Sequence, residues 1–160
     1  AARASLIDFI DLMDDRDRLE VILFNDEMIT LTDLSPLGEK RQEVRNRVSG
    51  VIEGGDTKLY SAIELAYEEL EAKGASDHIR AIVVLTDGKD TASPITLPGL
   101  IGRIGAQSES GDATKIFTIA FGGAVDRDVM QRIAEITGGK QYDSNPDSIS
   151  DIYAEIATFF

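Results

Sequence analysis

The sequence predicts an α/β fold: a mostly parallel sheet with helices on both faces and one antiparallel edge hairpin. Three observations carry this. An apolar, largely β-branched run, Ile82-Val83-Val84-Leu85, stops abruptly in the polar turn Thr86-Asp87-Gly88-Lys89-Asp90, as does a strand buried on both faces of a parallel sheet. Further runs of this kind alternate with segments of helical periodicity, the pattern of a helix-covered parallel sheet. Two short apolar runs, 19–24 and 28–31, flank Asn25-Asp26, a hairpin signal.

Taken in order, residues 2–14 read as a helix with Leu6, Phe9, Ile10 and Met13 at i, i+3, i+4 and i+7, ended by Asp14-Asp15-Arg16-Asp17. After the hairpin, Ser35-Pro36-Leu37-Gly38 is a loop into a polar helix near 39–52 with a stripe of Val44, Val48 and Val51. Gly54-Gly55-Asp56-Thr57 opens the next helix, whose buried face is Leu59, Ala62, Ile63, Ala66 and Leu70; Asp56 or Thr57 is its expected N-cap. Gly74 closes that helix ahead of a strand at about 79–86. Residues 94–107 read as a helix weakened by Pro98, Gly99, Gly102 and Gly105, and 108–114 as a flexible polar loop. A strand at 116–121 ends at Gly122-Gly123. A helix at 126–137 follows, with Val129, Ile133 and Ile136 on one face, and stops at Gly138-Gly139. Residues 140–142 form a short edge strand and 148–159 a final helix. The order is Rossmann-like, with one departure: the chain opens on a helix, where this class normally opens on a strand in the middle of the sheet.

A length of 160 residues suits a single domain spanning 1–160 with a core of its own. Hydrophobic content of 42% and charged content of 28% describe a globular protein rather than a disordered one. No window approaches the roughly 18 consecutive apolar residues of a spanning helix, and no signal peptide is visible. The first residues, Ala1-Ala2-Arg3, lack an initiating Met, so the chain is expected to be a piece of something longer. Zero cysteines exclude disulfides, Cys-ligated zinc and thiol catalysis. The single histidine, His78, sits in a polar stretch and is expected to be a loop residue, which argues against His-rich metal sites and Ser-His-Asp chemistry. A formal net charge of −13 repels nucleic acid phosphates and anionic lipid, so neither is an expected partner.

Two polar loops, 54–57 and 86–90, should gather at the carboxyl end of the sheet, where open α/β sheets bind ligands. A Thr hydroxyl and a carboxylate converging there form a hard, all-oxygen environment for Mg²⁺, Mn²⁺ or Ca²⁺, and Gly54 and Gly55 would let the backbone turn tightly towards it. On pattern alone each residue also has a plainer role. The cap reading of Asp56 or Thr57 is the stronger one; Asp87-Gly88 serves as well as a simple turn; Asp90 reads as a solvated carboxylate or the cap of the next helix.

In combination and order, these loops resemble the von Willebrand factor type A family and its metal ion-dependent adhesion site. The resemblance covers essentially the whole chain: Asp17 to Phe24 resembles the family's second strand, Gly54 to Ala66 its Gly-Gly-x-Thr loop and helix, and Val83 to Asp90 its Leu-Thr-Asp-Gly strand end. Ile116 to Gly122 and Ile133-Ala134-Glu135-Ile136-Thr137-Gly138-Gly139 continue it. The resemblance implies that Thr57 is a metal ligand and that Asp87 approaches the ion directly or through water, an open position then taking an acidic group from a partner.

The family's remaining ligands lie in an Asp-x-Ser-x-Ser motif at the end of a first, central strand, and no such motif occurs here. Ser5 lies in the first helix and Asp33-Leu34-Ser35 runs into Pro36. Residue 1 is therefore expected to fall just after the missing motif. The site should be incomplete and its Mg²⁺ (or Mn²⁺/Ca²⁺) weakly held or absent. The sheet should lack a central strand, leaving a gap to be closed by direct pairing, by strand exchange or an oligomer, or by a segment outside these residues.

The function implied is a non-enzymatic, divalent-cation-dependent protein-binding module of a larger protein, with a leaning to an extracytoplasmic or surface setting in a bacterium. The alternative is a regulatory or scaffolding subunit of an intracellular ATP-driven assembly, such as a chelatase-like complex. A phosphoryl-transfer receiver or hydrolase is a third reading, disfavoured because no phosphate-binding Gly-x-x-x-x-Gly-Lys-Ser/Thr loop is present.

Overall fold

The computed structural model describes residues 2–51, 56–106, 113–144 and 148–158. The loops expected at 54–55 and 108–112, the Gly54-Gly55 turn included, lie outside these residues. The elements run α1 (Ala2–Leu12), β1 (Arg18–Phe24), β2 (Met28–Pro36), a short 3-10 turn (Gly38–Lys40), α2 (Arg41–Ser49), α3 (Leu59–Lys73), β3 (Ala81–Thr86), α4 (Leu97–Gly105), β4 (Lys115–Phe121), α5 (Arg127–Ile136), β5 (Gln141–Ser144) and α6 (Ile149–Ala157). The expected order of strands and helices is present.

β3, β4 and β5 form a parallel sheet with β4 in the middle, in the register Ala81 to Lys115 and Thr118 to Gln141. β4 is buried from Ile116 to Ala120 because helices cover both of its faces. Ile116 and Ala120 pack with α3, α4 and α5, while Phe117 and Ile119 pack with α1 and α6. β1 and β2 form the antiparallel hairpin. Its second strand runs on to Pro36, beyond the expected end at 31, because register irregularities around Val21 let pairing continue to Arg18–Pro36. A proline is tolerated there, at a sheet edge.

The hairpin does not hydrogen-bond to the parallel sheet, and the described strands form two sheets rather than one. Of the three expected ways to close the gap, direct pairing of β1 with β3 is not taken. Two helices hold the halves together instead. Consecutive residues of α1 point into different clusters: Phe9 stacks on Tyr153 of α6 at 4.5 Å between ring centroids, while Ile10 joins Val21, Leu37, Val44 and Val48. On the opposite face, α3 packs on both β1 and β3. α1 ends at Leu12, earlier than expected, and the Arg41 guanidinium donates to the carbonyls of Ile10 and Met13. Basic groups at a helix C-terminus satisfy orphan carbonyls in this way.

Val51 follows the end of α2 and is only half-buried, so the buried stripe of that helix is Val44 and Val48. α4 begins at Leu97, with the Thr96 hydroxyl accepting from Gly99 N–H at 3.2 Å, rather than at Pro94. His78 is an exposed loop residue whose ring contacts Asp77 at 3.0 Å.

Candidate functional site

β1 and β3 run in the same direction, and their ends meet the entry to α3. The Asn25 carbonyl, just past β1, accepts from Lys58 N–H at 2.9 Å. Gly88, just past β3, lies so close to Thr57 that a Cβ built on it would be 3.6 Å from the Thr57 hydroxyl oxygen. The structure thus brings together the two predicted residues, Thr57 and Asp87. Both line the opening of the gap between the sheets, Thr57 half-buried and Asp87 exposed.

Hydrogen bonds lace the two loops to each other. Thr57 N–H donates to Thr91 Oγ1 at 2.9 Å, and the Thr57 carbonyl accepts from Thr91 N–H at 2.9 Å and Ala92 N–H at 3.2 Å. Within the second loop, the buried Thr86 hydroxyl accepts from Gly88 N–H and donates to the Gly88 carbonyl, each at 3.3 Å. Such Ser/Thr turns fix a tight chain reversal without needing a left-handed residue, and Gly88 has no positive φ.

The expected helix cap is a correction. The N-cap position of α3 is Lys58, with no side-chain cap bond, so neither Asp56 nor Thr57 fills that role. The first-turn N–H groups are served from across the structure. Tyr60 N–H donates to Asp90 Oδ1 at 3.0 Å and Ser61 N–H to Ser93 Oγ at 3.0 Å, while Ser93 binds Asp90 through both its N–H and its hydroxyl. Asp90 therefore caps the preceding helix α3 and is neither a solvated carboxylate nor the cap of α4. Local sequence could not show this, because the partners lie thirty residues apart; the only hint was Asp90 and Ser93 at i, i+3.

The acidic residues divide by what they do. Asp90 caps α3, and Asp126 caps α5 by accepting from Val129 N–H at 3.3 Å. Both surround Tyr60, whose phenol is pushed up by burial first and then by these two carboxylates. Among the described residues, nothing hydrogen-bonds or ion-pairs with the Asp87 carboxylate, and the Thr57 hydroxyl has no hydrogen-bond partner. The Thr57 hydroxyl thus lies beside the loop that carries Asp87. No group of three His, Cys, Asp or Glu side chains able to hold a metal occurs among the described residues. The pair therefore fits a hard cation that keeps several waters, as Mg²⁺ does, better than an all-protein cage.

Comparisons with known proteins bear on the fold. The chain aligns over 97% of its length with a von Willebrand factor type A protein from Catenulispora acidiphila, at TM-score 0.81 and 18% identity, covering 36% of that protein. It matches proximal thread matrix protein 1 of the mussel byssus, solved with a zinc-occupied MIDAS motif, over 99% of this chain and 39% of that one, at TM-score 0.77 and 16% identity. It matches manganese-loaded TRAP protein of Plasmodium vivax over 94% of this chain and 63% of that one, at TM-score 0.70 and 14% identity. At these identities the likeness is one of fold. The chain spans 36%, 39% and 63% of the lengths of these three structures. No curated protein sequence matches it. The family model for the von Willebrand factor type A domain matches residues 1–155, and the chain belongs to that family.

Proposed function

We propose that this domain is a divalent-cation-dependent protein-binding module in which the Thr57 hydroxyl and the Asp87 carboxylate supply two of the oxygen donors. The observation that carries this reading is the division of labour at the start of α3: Asp90 and Ser93 cap the helix from the facing loop, so the Thr57 hydroxyl is left for another partner beside Asp87. The zinc and manganese named with two structural neighbours support it.

A hard divalent cation bound there would offer an open coordination position to an acidic group of a partner protein. The chain's own part is to hold the two donors in place through the Thr57–Thr91 and Thr86–Gly88 hydrogen bonds. Two donors make an incomplete site, so Mg²⁺, Mn²⁺ or Ca²⁺ is held weakly, with water filling the remaining positions. The role is binding rather than catalysis.

Water-proton relaxation of Mn²⁺ titrated with the protein tests this, since it detects weak binding. Binding is expected for the wild type and is lost in Asp87→Ala and Thr57→Ala. Absence of binding by the wild type, or binding that both variants retain, refutes the assignment.

A further inference from the structure

A domain of net charge −13 that recruits an acidic group works against its own field, which repels such a partner. The cations near the site are therefore informative. The chain has six lysines. Lys73 pairs with Glu69, Lys140 pairs with Glu155 at 2.7 Å, and Lys40 donates to Ser35 Oγ at 3.2 Å. Lys115 is engaged as well. The ammonium groups of Lys58 and Lys89 alone have no hydrogen-bond or ion-pair partner among the described residues. Both belong to the candidate site. Lys58 directly follows Thr57, and Lys89 directly follows Gly88, where a Cβ would lie 3.6 Å from the Thr57 hydroxyl oxygen.

Neither lysine is explained by the fold. Lys58 holds the N-cap position of α3, whose first turn carries no acidic residue, and its side chain makes no cap bond. A cation there opposes the helix dipole, and lysine is not one of the residues that cap well. Lys89 is exposed and shares a small cavity of ≈ 110 Å³ with Tyr60, Asp90 and Asp126. It pairs with neither carboxylate. Asp90 already accepts from Tyr60 N–H and Ser93, and Asp126 from Val129 N–H. Residues that break a local rule without a compensating contact mark functional positions.

We propose that Lys58 and Lys89 form a cationic rim around the Thr57 and Asp87 site, and that the partner it fits is a polypeptide segment with clustered carboxylates. One carboxylate takes the open position on the cation, and its neighbours along the segment lie against the two ammonium groups. Lysine suits this task, because its charge rides on a flexible four-carbon stem and can follow an acidic segment without fixed geometry. The rim also sets selectivity. Two positive charges offset the domain's repulsion close to the site, within the screening length of roughly 8 Å at physiological salt. The rest of the surface still repels large polyanions. A lone acidic group gains only from the cation, whereas a cluster gains from the rim too. The proposal rests on the cation reading for the first carboxylate alone.

NMR titration of the isotope-labelled domain tests it, since it reads weak binding residue by residue. The probes are two synthetic peptides with blocked termini, Gly-Asp-Glu-Asp-Gly and Gly-Ala-Glu-Ala-Gly, each added in Mg²⁺ and again in chelator. In Mg²⁺ the three-carboxylate peptide should bind about fivefold more tightly than the single-carboxylate one, as two exposed ion pairs allow. The double substitution Lys58→Asn with Lys89→Gln should erase that margin. A control with the same change of charge away from the site, Lys40→Gln with Arg132→Gln, should keep it. Lys58→Asn also supplies a good cap residue, so its thermal midpoint should hold or rise. Four outcomes overturn the rim: a margin that survives loss of both lysines, a margin lost equally in the control, no binding of either peptide in Mg²⁺, or a clear fall in the thermal midpoint of Lys58→Asn. Lysine-dependent binding of the three-carboxylate peptide that is equal in Mg²⁺ and in chelator supports the rim and refutes the cation reading, so the two fail separately.

Discussion

Replacing Asp90 by alanine separates a structural carboxylate from a ligand carboxylate in the same loop. Asp90 accepts Tyr60 N–H at 3.0 Å and Ser93 N–H at 3.3 Å, and takes the Ser93 hydroxyl as well. Loss of a helix cap costs about 1 kcal/mol, and loss of a negative charge at a helix N-terminus about 0.3–1 kcal/mol more. With the Ser93 bonds also lost, Asp90→Ala should cost about 2 kcal/mol, a fall in Tm of about 4–8 °C for a domain of this size. Asp90→Asn keeps the acceptor oxygen and should cost less than half as much. The control is Asp87→Ala, which removes the same charge from the same loop but no hydrogen bond. At a net charge of −13 its loss relieves self-repulsion, so stability should hold or rise slightly. Urea unfolding followed by circular dichroism gives the three values if the slope m stays constant. Asp90→Ala within about 0.5 kcal/mol of wild type, or no more damaging than Asp87→Ala, would refute trans-capping of α3; ordinary surface substitutions fall within that range.

Three other outcomes are expected. A Cβ on Gly139 would lie 1.9 Å from the backbone carbonyl oxygen of Ile116 in the middle of the sheet, so Gly139→Ala should cost about 3 kcal/mol or more, seen as a collapse of the thermal midpoint. All four tyrosines have phenols raised above the usual range, each chiefly by burial, with Tyr142 pushed up to about 12 by burial, the Glu155 charge and its hydrogen bond to Glu155. A raised folded value means stability that is full below the unfolded tyrosine pKa of about 10 and is lost as pH rises through about 12 for Tyr142; phenolate absorbance should appear later in buffer than in concentrated urea, and Tyr142→Phe should flatten the alkaline loss. The Mn²⁺ response should vanish in both Thr57→Ala and Asp87→Ala while their thermal midpoints stay near that of wild type, which distinguishes lost ligands from lost fold.

Much of the fold could be read from local patterns, because Ile82 to Leu85 and Ile116 to Phe121 declare buried strands by their apolar runs, and Val129, Ile133 and Ile136 declare one helix face. Boundaries slipped where tertiary partners decide them. Arg41, far along the chain, donates to the carbonyls of Ile10 and Met13 at the end of α1, and the irregular pairing around Val21 extends β2 to Pro36. The meeting of Thr57 with Asp87 was legible only because two loops could be set side by side through a family pattern; nothing local to either predicts it. The cap on α3 was misassigned for the same reason. Capping rules look three residues ahead, and here the carboxylate comes from the next loop. Whether β1 and β3 would pair with each other could not be read from the sequence, because it depended on how α1 and α3 pack between the two sheets.

That spanning has a consequence for cooperativity. A continuous sheet ties its strands into one unit, whereas here the hairpin with α2 and the three-stranded sheet with α4, α5 and α6 each have a hydrophobic cluster of their own, joined through α1 and α3. Contiguous units with separate cores open separately, so the hairpin half can loosen while the parallel sheet stays folded, and unfolding need not be a single all-or-none event.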